Sequence, residues 1–225
     1  MKSISYAAIT VLSTLLPQSH ANLDVITLTA KSGTWIQEAA ATLVVGNVPN
    51  PITGDVALWS AIMMDKRDFL QGVTQNSPSS GYCPNLGRNW CSFAYTLVGS
   101  TNPQNGAPIM TPPGSRVKTH YKLNPQTNLW DQNLYLNDKL VSNISTSKGQ
   151  HGTIFYVSIE CASGTCAAAP AHSWEDISIT LNKADQNFGH SGNWQYNATG
   201  GKMSTIDGGQ TWSFTTLSIP DTPVH

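Results

Sequence analysis

Two polar residues stand in otherwise apolar rows, and their side chains are of types that can move protons and donate hydrogen bonds. In "PAHSWEDISITL", residues 170–181, extended backbone sends alternate side chains to opposite faces. Ser173, Glu175, Ile177, Ile179 and Leu181 then share one face, and His172, Trp174, Asp176, Ser178 and Thr180 the other. A carboxyl group in line with three aliphatic residues is costly unless it is partnered or used. In residues 67–74, "RDFLQGVT", Phe69, Gln71 and Val73 form a similar row with an amide in it. A glutamate can take a proton from water and return one to a leaving amine. A glutamine N–H can donate to the developing oxyanion. Gln71 and Glu175 are therefore candidate functional residues, expected to face each other across one sheet and to line a cleft. The chemistry needs no metal, no cofactor and no covalent intermediate, and it runs in acid.

The elements that must position these groups are strands. Alternating segments occupy 24–30, 38–47, 55–63, 67–74, 90–98, 115–123, 128–136, 139–145, 152–160, 173–182 and 211–219. Between them lie turn formers: "PNPITG", "NSPSSGYCPNLG", "NPQTN", "SKGQHG" and "DGGQ". "TNPQNGAPIMTPPG", 101–114, reads as one long surface loop. No helical periodicity is sustained, so the fold class is all-β, a two-sheet antiparallel β-sandwich. Within the strands, Thr153, Phe155, Val157 and Ile159 form one face, as do Trp130, Gln132, Leu134 and Leu136.

The first 21 residues, "MKSISYAAITVLSTLLPQSHA", read as a signal peptide: Lys2, an apolar run too short for a membrane span, then Ser19 and Ala21 before the cleavage point. A secreted, extracellular domain of residues 22–225 follows. The chain has 225 residues, a net charge of −1 and only 11% charged residues, without basic clusters. That excludes nucleic acid and an anionic membrane surface as partners. Four cysteines allow three pairings. Loop length favours Cys83–Cys91 and Cys161–Cys166, and the spacings do not suit zinc. Asn143 and Asn197 lie in glycosylation sequons. A monomer is expected.

These residues resemble the eqolisins, the secreted glutamic peptidases. "WSAIMMDKRDFLQGV", from Trp59 to Gln71 and beyond, is similar to that family's "W-V-G-I…L-Q-T-G". "CAAAPAHSWEDI", from Cys166 to Glu175, is similar to its "C…A-E-[WF]-I-[IV]-E-D-F". "PPGSRVKTHYKL" and "STIDGGQTWSFTTL" resemble a strand start and the closing hairpin. The resemblance spans roughly 36–219 and implies a concanavalin A-like jelly roll acting on a polypeptide substrate. It implies Gln71 as oxyanion partner and Glu175 as general acid/base. Trp59, Phe93 and Trp90 would line the substrate site. "MMDK" stands where the family has an acidic "D-G".

Two other readings use the same elements. A lectin-like module binding a glycan or small molecule would use tryptophans as stacking surfaces, Trp90 being the best exposed candidate. A carbohydrate-active enzyme would need two carboxyls about 5–5.5 Å apart. Asp176 points away from Glu175, which leaves Glu160, Asp131 and Asp65 as partners. "TIDGGQTW", 205–212, matches an Asp-box and reads as a hairpin turn, with Asp207 bonding its own loop and Trp212 packed beneath. His172 and His190 read as packing or surface residues.

Overall fold

The computed structural model describes residues 21–79 and 81–224. The signal peptide lies outside them, apart from Ala21. The strands are β1 Ala21–Thr29, β2 Ile36–Val44, β3 Asp55–Met64, β4 Phe69–Asn76, β5 Trp90–Val98, β6 Asn102–Asn105 and β7 Ile109–Thr111. They continue with β8 Arg116–Leu123, β9 Trp130–Leu136, β10 Lys139–Thr146, β11 Gly152–Ser163, β12 His172–Leu181, β13 Thr199–Gly200 and β14 Thr211–Ile219. Every segment expected from alternation is a strand. The expected loop 101–114 is different: it carries β6 and β7, which pair with β5. A Pro-rich edge segment can hydrogen-bond on one side only, and such edges lack the alternation that marks a half-buried strand.

The pairings are antiparallel and build two layers. One layer runs β1–β11–β3–β4–β5, with β6 and β7 at its edge. The other runs β14–β12–β2–β8–β9–β10, with β13 on β14. Beta2 and β11 pair only at Ile36 and Gly152. A Cβ on Gly152 would lie 2.8 Å from Ile62 Cγ2 and 3.0 Å from Ile36 Cβ, so the crossing needs a glycine.

The core lies between the layers. Leu58, Ile62, Leu70, Phe155, Val157 and Ile159 meet Ala39, Ala41, Leu43, Tyr121, Trp130 and Leu134. Each large side chain fully buried there contributes about 1.5–3 kcal/mol. Several polar groups in this interior are paired across it. Tyr121 Oη donates to the Ser60 carbonyl at 2.6 Å and accepts from Gly72 N at 2.7 Å. The Gln132 amide donates to the Gln71 carbonyl. The amide in the Trp130 row is thus a satisfied buried group. Trp90 belongs to this core too: it is fully buried and its indole donates to the Gly46 carbonyl at 3.1 Å. It is not the exposed stacking residue expected from its loop, because it opens β5 on the inward parity.

The row containing Glu175 is broken by its own backbone. Asp176 adopts φ 50°, and the β12–β2 register shifts between Glu175 and Ser178. Before the irregularity His172 and Trp174 point inward; after it Ile177, Ile179 and Leu181 do. Glu175 therefore sits on the outer face and never shares a face with those aliphatic residues.

Candidate functional site

The outward parity of β11, β3, β4 and β5 makes one surface. Tyr156, Ser158 and Glu160 lie beside Ala61, Trp59 and Ala57, then Gln71, Val73 and Gln75, then Tyr95, Phe93 and Cys91. This face is itself apolar. Ala57, Trp59, Ala61, Val73, Leu86, Phe93 and the Cys83–Cys91 bridge form a second buried cluster, distinct from the core. The bridge closes an eight-residue separation and brings the loop back over β5. It delivers Tyr82 against Phe93, with ring centroids 4.3 Å apart.

The result is a cavity of about 380 Å³ lined by Asn22, Asp55, Ala57, Phe69, Gln71, Val73, Gln75, Tyr82, Phe93, Tyr95 and Glu160, among others. Glu160 pairs with Ala57, and Ala57 with Gln75, so a carboxyl and an amide flank a single methyl group. Two strand spacings put their backbones about 10 Å apart, within reach of one carbonyl between the side chains. Gln71 lies four residues further along β4, about 13 Å down the strand. Trp59 Nε1 donates to Glu160 Oε2 at 2.9 Å and fixes the carboxyl.

Asp55 stands diagonally beside Glu160 on the same face. Burial first, and the Glu160 charge second, push its carboxyl up to about 6. The Tyr95 phenol is raised too, by burial and then by Tyr82 and Glu160. No Lys, Arg or His is among the described residues lining the cavity. Among the described residues, no group of three or more His, Cys, Asp or Glu is gathered as for a metal ion.

Of the expected site residues, Gln71 and Phe93 line the cavity and Trp59 supports it from beneath. Glu175 lies elsewhere. It is on the outer face of the opposite layer, paired with Thr42 of β2, and the Arg116 guanidinium forks onto Glu175 and Asp176. The expected meeting of Gln71 and Glu175 across one sheet is not built, because β12 joins β2 rather than β11. The groups that alternation does not single out are Gln75, one residue past the segment 67–74, and Asp55, the first residue of 55–63. Glu160 reads from sequence only as a possible partner carboxylate.

Both local disulfides are present, Cys83–Cys91 and Cys161–Cys166. Asn143 and Asn197 are exposed. His172 is buried; its Nδ1 donates to the Pro170 carbonyl at 2.8 Å, and burial pulls its pKa down to about 4. Asp207 Oδ1 accepts from Thr211 N at 2.8 Å and Thr205 Oγ1 at 2.9 Å, with Trp212 buried beneath, as the Asp-box turn requires.

The architecture defines the class by its fold: an all-β, two-layer antiparallel sandwich. A scytalido-glutamic peptidase, solved with a transition-state-analogue inhibitor, superposes with a TM-score of 0.59 over 90% of this chain and 98% of that one, at 12% identity. That likeness is one of fold. A Caenorhabditis elegans galectin aligns over 61% of this chain and 94% of its own, with a TM-score of 0.28 and 8% identity. No family model and no curated protein matches the sequence. No helix among the described residues is long and apolar enough to cross a membrane.

Proposed function

We propose that the chain is a secreted acid hydrolase acting on polypeptides, with Glu160 as general acid/base and Gln75 as oxyanion donor. The observation that carries this reading is the placement of Glu160 and Gln75 on either side of Ala57 in one cavity. In this reading the Glu160 carboxylate takes a proton from water as the water oxygen bonds to the substrate carbonyl carbon. The Gln75 amide donates to the oxyanion. Glu160 then passes its proton to the departing nitrogen as the C–N bond breaks. Such a donor is worth about 2.7–4 kcal/mol of transition-state stabilisation. Gln71 and Phe93 contact the substrate further along the groove. The apolar walls suit a bulky side chain next to the scissile bond.

The test is cleavage of an unfolded protein from pH 2 to 7 by the secreted protein, with Glu160→Gln beside it. Acid cleavage that disappears in the variant supports the reading; cleavage that survives ends it. A glycan-directed role is the second reading, favoured by two carboxyls under the Tyr82–Phe93 stack. Oligosaccharide binding or cleavage, without proteolysis, would put it first.

A further inference from the structure

Asp55 is oddly placed for a residue with no task. It opens β3, and its Oδ1 is buried without a hydrogen-bond partner. A carboxylate oxygen left so is expensive. The backbone beneath it is held from two sides. Gly54 has φ 64°, and a Cβ there would lie 2.8 Å from both the Cys166 nitrogen and its Sγ. Cys166 Sγ lies 3.5 Å from the Asp55 carbonyl oxygen. The Cys161–Cys166 loop therefore clamps the start of β3 where Asp55 enters the cavity.

We propose that Asp55 is the second carboxyl of this site and works with Glu160 as an acid–base pair sharing one proton. This rests on the hydrolase reading for its chemistry and on the cavity for its geometry. The two residues sit diagonally on adjacent strands, both line the cavity, and the Glu160 charge acts on Asp55. The polar and titratable groups that line the cavity with Asp55 and Glu160 include Gln71. Asn22 comes from β1, Gln75 from β4, Tyr95 from β5 and Tyr82 from the disulfide loop. Asp24, further along β1, accepts from Ser158 at 2.6 Å. No cation from the described residues lines the cavity to neutralise two charges together. Two like charges on adjacent strands in one cavity, with the Glu160 charge acting on Asp55, titrate as a pair. With one proton between them, Glu160 is the base that receives the water proton, while protonated Asp55 keeps the pair at a single negative charge. Asp55 acts through Glu160 and is a positioning residue.

The experiment is a carboxyl ¹³C NMR titration of the secreted protein labelled at Asp and Glu, run on wild type, Glu160→Gln and Asp55→Asn. Wild type should show Asp55 titrating near 6. In Glu160→Gln that midpoint should fall part of the way toward the ordinary carboxylate value, burial holding the larger share of the rise. In the cleavage assay, Asp55→Asn should lose the alkaline limb near pH 6. An Asp55 midpoint in the ordinary carboxylate range, or one that ignores the loss of Glu160, overturns the pair. Should Asp55→Asn misfold, the wild type and Glu160→Gln titrations decide alone. Coupled titration in a protein that cleaves nothing would leave the pair standing and remove the hydrolase. Cleavage that needs Glu160 with an uncoupled Asp55 would do the reverse.

Discussion

The Trp59 indole donates to Glu160 Oε2 at 2.9 Å from the neighbouring strand, and Trp59 is itself 1% exposed. The carboxyl is thus aimed by a donor that cannot move, since Phe69 packs edge-on against the indole at 5.5 Å. A hydrogen bond to a charged group contributes about 1.5–3 kcal/mol. Trp59→Phe keeps most of the packing and removes the donor. It should lower kcat by about 10–100-fold, the equivalent of that energy, with little change in KM. Steady-state kinetics with circular dichroism on both proteins checks it.

Glu160→Gln and Glu175→Gln should separate cleanly. The first removes the carboxyl proposed as acid/base and should leave no measurable acid cleavage. The second touches only a surface fork with Arg116, on the far side of the sandwich. Exposed pairs of that kind are worth about 0–1 kcal/mol. Glu175→Gln should keep wild-type activity and melt within about 2–4 °C of wild type. An inactive, folded Glu175→Gln would contradict the site assignment.

Asp55 makes stability depend on pH in an unusual direction. Its folded value, about 6, lies above the ordinary 3.8, so the fold favours the protonated form. That contribution is complete below about pH 4 and is lost as pH climbs through 6. Each pKa unit corresponds to about 1.4 kcal/mol, and solvent at the cavity mouth reduces the effect to about 1–2 kcal/mol. Asp55→Asn should melt like wild type near pH 4 and above it at pH 7. Thermal melts across that range test the sign.

His172 pulls the other way. Its folded value, about 4, lies below the ordinary 6.5, because burial disfavours the imidazolium. The contribution is present above pH 6.5 and is lost as pH falls through 4, up to about 3 kcal/mol. His172→Gln should be less stable at pH 7, from lost packing, yet show a flatter decline between pH 6.5 and 4. Denaturant midpoints at four or five pH values would show it.

Tyr82→Ala removes one ring of the stack over Phe93 and opens the cavity roof. Stability should change by less than about 1 kcal/mol, since Tyr82 is 38% exposed. KM for substrates with bulky apolar residues should rise about tenfold, a loss of roughly 1.4 kcal/mol, with kcat held. A matched series of peptides differing in one side chain is the measurement.

Strands were legible because a half-buried strand writes period two into its residues. The faces were less so. The row through Glu175 looked continuous because only the backbone at Asp176, at φ 50°, reverses it, and an aspartate there gives no warning. Phe69, Gln71 and Val73 do form one face, but alternation cannot say whether a face meets the other layer or a cavity. Glu160 ends a row of Tyr156 and Ser158, which has the composition of any solvent-facing strand edge. Its importance comes from Ala57 and Gln75 on strands more than eighty residues away, and register between distant strands is not written locally. Trp90 misled for the same reason: being next to a disulfide cysteine says nothing about inward or outward parity.

The molecule keeps two apolar assemblies apart, one between the layers and one under the Cys83–Cys91 loop. A β-strand gives each neighbour in sequence to a different assembly, so Leu58 serves the first and Trp59 the second. Residues on alternate positions can then drift under separate constraints: the inner set answers to folding, the outer set to whatever occupies the groove. On a scaffold of this kind the outward parity can change its lining without disturbing the packing between the layers.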